Sequence, residues 1–108
     1  MTLTIKLLAH GSLPGTIGNL YVVPADTKAI IKALKIVNVD TATRTVNLYA
    51  KPSGLTARRI IPVDMELGAG YMGAEDEELT LGTGDAIQGS CSVAGVVDYT
   101  IYGVEETA

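Results

Sequence analysis

The stretch that decides the fold is PADTKAIIKALKIVNVD, residues 24–40. As a helix it would begin at the capping residue Asp26 and place Ile30, Leu34 and Val37 on one face, with three lysines opposite. As a strand it would make the chain almost entirely β. A helix packed on strands would leave room for an enzyme-like α+β domain, whereas an all-β chain favours binding or assembly. The neighbouring segments therefore decide the question.

The segments on both sides are typical of strands. Runs of five to ten residues rich in Val, Ile, Thr and Tyr alternate with Gly, Asp, Asn and Pro clusters about every ten residues, a pattern of sandwiches and barrels. We therefore interpret residues 29–38 as a long strand and predict an all-β fold. The expected architecture is an antiparallel β-sandwich of about eight strands in one domain, residues 1–108, with residues 1–18 forming an N-terminal strand and loop. The predicted strands are 3–9, 19–23, 29–38, 44–51, one or two within 57–67, 77–81, AIQGSCS at 86–92, and 96–105.

The lysines of the long strand conflict with regular alternation. On a flat strand Lys32 points to the same side as Ile30 and Leu34, whereas Lys35 points with Ile31. At least one lysine would then lie on an apolar face. We predict either a bulge between Lys32 and Lys35, or a face covered by a neighbouring subunit with its lysine at the rim.

Composition limits the classes of function. Hydrophobic residues make up 47% of the chain and charged residues only 19%, below the roughly 25% usual for soluble domains. We infer that copies of the chain cover part of its apolar surface. The net charge of −4 argues against nucleic-acid binding, which needs clustered Lys and Arg. No apolar run is long enough for a membrane span or the core of a signal peptide, so we expect a soluble chain without a membrane partner.

Three features resemble sites but favour structural roles. His10 is the only histidine and has no evident Ser or Cys partner, so an exposed structural or interface role is favoured over a catalytic base. Cys91, the only cysteine, can form no internal disulfide, and alternation places it on the apolar face of its strand with Ile87 and Val93, which favours an inert buried thiol. The acidic run 75–78 lacks the pattern of a calcium loop and favours a solvated turn.

Two further motifs are equally weak. Asp64 and Glu66 would point the same way on a strand, as paired carboxylates do in glycosidases, and a hydrolase using His10 with either one is the weakest of our three hypotheses. GTGD, residues 82–85, leads into a strand rather than a helix, which predicts a tight turn and not a phosphate loop. We assign no catalytic, cofactor-binding or metal-binding residue and expect no enzyme.

The candidate contact residues are those that strand alternation, or clustering with other charged residues, predicts to point outward. Tyr49 and Tyr102 face away from the core by alternation, which fits an interface, although partial core packing fits equally well. The full candidate set is Tyr49, Tyr102, Lys32, Lys35, Arg58 and Arg59.

Two long stretches resemble a known group of proteins. LYVVPADTKAIIKALKIVNVDTATRTVNLYAK and LTLGTGDAIQGSCSVAGVVDYTIYGVEE are similar to small bacteriophage virion proteins, chiefly at turns and strand ends, over roughly residues 19–106. The resemblance implies a β-sandwich, often jelly-roll-like, that assembles into trimers and decorates a capsid or forms part of a tail or fibre. It implies no catalytic residues and no cofactor.

Within that group the absence of a long N-terminal arm in residues 1–18 favours a compact capsid-bound protein. We expect a decoration or cement protein, homotrimeric, with major capsid protein as its partner. It would be made in the host cytoplasm and lie on the capsid surface of the virion. The alternative is a tail- or fibre-associated module that binds a receptor or glycan.

Overall fold

The computed structural model describes residues 2–107 and shows two antiparallel sheets packed as a sandwich, with no helix in that range. The ten strands are β1 (Thr2–Ser12), β2 (Gly18–Val22), β3 (Thr27–Asn38), β4 (Arg44–Lys51), β5 (Arg58–Arg59), β6 (Met65–Leu67), β7 (Met72–Glu75), β8 (Leu79–Leu81), β9 (Ala86–Cys91) and β10 (Val97–Thr107). The all-β sandwich predicted from the sequence is confirmed.

The strand order is that of a jelly roll. Sheet A runs β1-β10-β3, with β7 and β8 both pairing β3, and sheet B runs β2-β9-β4, with β5 and β6 both pairing β4. The outer position of each sheet is therefore filled by two short strands, and ten strands occupy eight positions. The chain passes from one sheet to the other at every step from β1 to β4 and again from β8 to β10, so the inner faces of both sheets contribute to one core.

The contested segment is a strand, and of the two predicted explanations for its lysines the structure shows the bulge, which lies at Lys32 itself. Tyr102 pairs with Ala33 but Gly103 pairs with Ile31, so Lys32 is the extra residue. Ile31 is buried before the bulge and Leu34 after it, because the extra residue resets which side faces the core. Lys32 and Lys35 therefore both project outward, and no partner is needed to explain them.

A second bulge lies at the same level on the other side of β10. On β1, Leu7 pairs with Tyr102 and Ala9 with Ile101, which leaves Leu8 as the extra residue. Gly103 lies between the two bulges, where a Cβ atom would overlap the carbonyl oxygen of Ile30 and come within 3.0 Å of the Leu8 Cδ1 atom. Both neighbouring strands can approach β10 so closely only because this position is glycine.

The core is aliphatic, as a chain without Trp or Phe requires. Its few buried polar groups are hydrogen-bonded. Asn38, at the end of β3, donates from Nδ2 to the carbonyl oxygens of Ala42 and Leu67, at 2.9 Å each, and its Oδ1 accepts from the backbone N–H of Asp40 at 2.9 Å. These bonds fix the turn between β3 and β4.

The predicted strands differ from the observed ones at three places. β1 continues beyond the predicted strand 3–9, through Gly11 to Ser12, because β10 supplies a partner along its whole length. β7 lies outside every predicted strand: Gly73 and Ala74 give no alternation signal, and only pairing with β3 makes this edge segment extended. Val93 follows the end of β9 and is exposed, not buried with Ile87 and Cys91.

Candidate assembly surface

The outer face of sheet A carries an exposed apolar patch at its β1 edge. We call it the β1 patch; it comprises Leu3, Ile5, Leu7, Ile30, Tyr102 and Val104. Ile5 is 87% exposed and Leu3 64%, which is unusual for large aliphatic side chains on a regular strand. Single exposed apolar residues need no explanation, but a contiguous group marks a contact surface.

Strand register makes the patch contiguous. Ile5 pairs with Val104, which pairs with Ile30, so three apolar side chains form a row across three strands. Leu7 and Tyr102 form the next row. Directly opposed residues of antiparallel strands share a face, and the patch is thus a property of the pairing rather than of any one strand.

Charged residues border the patch at the Leu3 end and along β3. Lys28 faces Glu106 across the β3–β10 pair, and the Lys32 ammonium lies 2.6 Å from a carboxylate oxygen of Glu78. The surface therefore has an apolar centre with a polar rim, which is the anatomy of protein–protein interfaces.

The flank of the sandwich that carries this patch is poor in charge. Lys6 is the only Lys, Arg, Asp or Glu among residues 1–25, although the chain has 8 basic and 12 acidic residues. Lys6 projects from the opposite face of β1 to Ile5 and pairs with Glu105 Oε1 at 3.0 Å. Depletion of charge is the compositional signal of interface centres, and here it covers β1, β2 and the loop between them.

Glu105 is a nearly buried carboxylate whose charge is compensated inside the fold. The Tyr21 hydroxyl donates a 2.5 Å hydrogen bond to Glu105 Oε2. This bond and the Lys6 ammonium hold the pKa of the Glu105 carboxyl below its ordinary value, although burial opposes the shift. Burial and the neighbouring carboxylate raise the pKa of Tyr21. The network ties β1, β2 and β10 together beneath the patch.

Beyond the two bulges the same outer face becomes polar. His10, Thr100 and Lys35 form one row there, and Ser12 Oγ donates to Asp98 at 3.3 Å in the next. His10 is exposed, and within residues 2–107 it has no hydrogen bond or ion pair to a carboxylate. The bulges thus divide the face into an apolar half and a hydrophilic half.

The outer face of sheet B is a polar network. Arg59 donates to Asn47 Oδ1, and Asn47 Nδ2 donates to Asp64 Oδ1 at 3.0 Å. The Arg59 guanidinium lies 4.9 Å from the centroid of the Tyr49 ring, a cation–π geometry. Tyr49 does project outward as predicted, but the guanidinium covers one side of its ring.

The six predicted contact residues fall into two separate groups. Tyr102, Lys32 and Lys35 lie on the outer face of sheet A, whereas the other three, Tyr49, Arg58 and Arg59, belong to sheet B. Alternation identifies which residues point outward but not which sheet carries them. The apolar row of β1 was not in the predicted set, and the scarcity of charge in residues 1–25 is the signal that identifies it.

The other sequence motifs have structural settings. Cys91 is free and buried. Asp64 precedes β6 with a positive φ of 49°, so it does not share a strand face with Glu66 as predicted. Asp85 closes the turn 82–85: its carboxylate accepts from the N–H groups of Ser53 and Gly82, and these bonds lower its pKa. The predicted tight turn is confirmed.

Among residues 2–107, no group of three or more His, Cys, Asp or Glu side chains is placed to hold a metal ion. No helix in the described range is long and apolar enough to cross a membrane.

Comparison with known proteins finds similarity in fold only. No protein-family model and no curated protein matches the chain in sequence. A subunit of the disulfide-linked pili formed by Bacillus endospore appendages matches with a TM-score of 0.58 and 15% identity, over 98% of this chain and 88% of that one. A chain from the capsid of Helicobacter pylori bacteriophage KHP30 matches with a TM-score of 0.51 and 9% identity, over 96% of this chain and 90% of that one.

A third match covers part of a larger protein. A chain from the Gt strain of infectious bursal disease virus gives a TM-score of 0.51 and 11% identity over 96% of this chain, but this chain spans only 30% of it. The protein is therefore a jelly-roll sandwich that resembles virus capsid and pilus subunits, as the virion resemblance implied for the fold. A sequence family for it is not shown.

Proposed function

We propose that the protein is a bacteriophage virion structural protein that decorates the capsid as a homo-oligomer, a trimer, and binds major capsid protein. The observation that carries the proposal is a jelly-roll sandwich with an exposed apolar surface, the β1 patch, on a flank that is poor in charge. The likeness to a chain of nearly equal length in a phage capsid, with 90% of that chain covered, supports a capsid role. The proposal gives the chain no enzymatic activity.

A decoration protein stabilises a shell by binding only the assembled state. Each bound copy then shifts the equilibrium toward the assembled shell by mass action, and many copies of modest affinity are sufficient. A small rigid sandwich suits this task because its surfaces are held by two hydrogen-bonded sheets and not by mobile loops.

The cysteine content favours non-covalent assembly. A disulfide between subunits needs an accessible thiol on each, whereas Cys91 is the only cysteine of this chain and its residue is 2% exposed. The likeness to disulfide-linked pilus subunits therefore does not extend to their covalent linkage.

The test is co-sedimentation with phage heads assembled without this protein. We expect the bound amount to saturate at a fixed ratio to major capsid protein, and the decorated heads to resist heating or dilution better than bare heads. Unsaturable or absent binding to heads would refute the capsid role. Bovine serum albumin at equal mass concentration controls for trapping in the pellet.

The alternative is a tail-associated module that binds glycan through the polar face of sheet B. Tyr49 lies opposite Gln88 across the β4–β9 pair, and the Gln88 side-chain amide donates a 2.8 Å hydrogen bond to Asn19 Oδ1 on β2. Aromatic rings next to amides suit sugars, but Arg59 covers one side of this ring. Glycan-array binding that Tyr49→Ala abolishes would favour this function over the capsid role.

A further inference from the structure

We propose that a second copy of this chain covers the β1 patch and the free edge of β1. This inference rests on the proposed function only in requiring that the protein self-assembles. It assigns self-association to one flank of the sandwich and leaves the charged surfaces for major capsid protein.

The first argument is the extent of the patch. Its six side chains expose on the order of 500 Å², in the upper part of the range of about 300–600 Å² found for the largest apolar patch on a monomer. A stable interface buries about 800 Å² per partner, so the patch would supply the apolar centre of such an interface, and its polar neighbours and the edge of β1 would supply the remainder. The patch is therefore of the size expected for the centre of a contact between two copies.

The second argument is charge. Every copy carries a net charge of −4, so two copies repel each other least where acidic groups are few or have a basic residue opposite them. The acidic run 75–78 covers the end of β7 and the turn before β8, at the opposite edge of sheet A from β1. On β1 the only charged residue is Lys6, which Glu105 pairs. The acidic residue next to the patch, Glu106 opposite Leu3, has Lys28 opposite it on β3. Identical chains thus approach each other with least repulsion through this flank.

The third argument is the unpaired edge of β1. Among residues 2–107 no strand pairs with the outer side of β1, whose eleven residues extend roughly 36 Å. Natural proteins protect such edges with outward charges, proline or a covering segment, because bare edges pair indiscriminately. β1 has no proline, and the side chains of its outer row before the bulge are all apolar. A neighbouring copy is the covering that these features require.

The experiment compares oligomeric state by light scattering coupled to size exclusion. We expect the unaltered chain to run at a multiple of 11.3 kDa. Ile5→Asp places a charge in the centre of the proposed contact and should raise the dissociation constant of self-association on the order of 100-fold. Val63→Asp is the matched control, since Val63 is also large, apolar and 62% exposed but lies on the turn before β6; it should leave the oligomer intact.

A second measurement uses the unaltered chain and needs no variant to fold. Hydrogen exchange followed by mass spectrometry should show amides of Thr2–Leu7 protected at high protein concentration and exposed on dilution. The turn around Gly54, which is exposed, should exchange equally fast at both concentrations.

The outcomes separate the two proposals. If the unaltered chain and Ile5→Asp are equally oligomeric, and Thr2–Leu7 exchanges independently of concentration, another surface joins the copies: this inference fails while self-assembly stands. If the unaltered chain is a monomer at all concentrations, self-assembly and this inference both fail. Capsid co-sedimentation then decides the remaining part of the proposed function on its own.

Discussion

Replacing Gly103 by alanine gives a sharp test of the double bulge around β10. In an ordinary strand the exchange stabilises a protein by roughly 0.5–1 kcal/mol, because alanine loses less backbone entropy on folding. Here the added Cβ would overlap the Ile30 carbonyl oxygen and crowd Leu8. Both contacts are made by neighbouring strands, so relief requires the sheet to open at the bulges.

The expected magnitude follows from these contacts. Overpacking costs roughly 1–3 kcal/mol, and opening the sheet removes at least one hydrogen bond worth about 1 kcal/mol. We therefore expect Gly103→Ala to lower the free energy of unfolding by about 2–4 kcal/mol, which corresponds to a fall in Tm of roughly 10–20 °C. The sign is opposite to that expected for a regular strand.

The assay is urea unfolding followed by circular dichroism. It is best made in the Ile5→Asp background, because self-association would otherwise add a concentration-dependent contribution. Gly15→Ala is the control: its Cβ would meet Ala94 at an ordinary 3.5 Å, and stability should change by less than about 0.5 kcal/mol. Equal stability of the two variants would refute the close packing described for β10.

Three further predictions concern buried groups. Tyr21→Phe removes the hydrogen bond to Glu105 and should lower the free energy of unfolding by roughly 1.5–3 kcal/mol at pH 7. Because folding lowers the pKa of Glu105, the charged carboxylate stabilises the fold above the ordinary glutamate pKa, and this stabilisation is lost as the pH falls. Urea unfolding should therefore show that the destabilisation by Tyr21→Phe becomes smaller below about pH 4. Asn38→Ala leaves the buried Leu67 carbonyl and the partly exposed Ala42 carbonyl without their donor and should cost about 2–4 kcal/mol by the same assay, whereas a cost under about 0.5 kcal/mol would contradict that role. Cys91 should react with a thiol reagent only in denaturant, and rapid modification of the native protein would show that the core is open.

The sequence predicted the sandwich and most of its strands, and the reasons lie in particular residues. The bounds of β4 were predicted correctly because Val46 and Leu48 alternate strictly with residues that face solvent on the outer side of the strand. The lysines of β3 predicted either a bulge or a covered face, and the structure shows the bulge, which keeps Ile31 and Leu34 buried while Lys32 and Lys35 project outward.

What sequence could not supply was the spatial pairing of distant strands. Ile5, Val104 and Ile30 are far apart in the chain, and their union in one patch depends on registers that only the folded sheet defines. The edge strand β7 was missed for a related reason: it is extended because β3 pairs with it, and its own residues carry no alternation.

The paired bulges also constrain how this chain can diverge. Because Leu8 and Lys32 are extra residues on the two neighbours of β10, deleting either alone would turn half of a strand inside out. The two extra residues and Gly103 between them should therefore be retained or lost together. In a related chain that has a residue with a side chain at the position of Gly103, we expect both neighbouring strands to be one residue shorter at the bulges. An alignment that shortens only one of the two strands should therefore be wrong at that point.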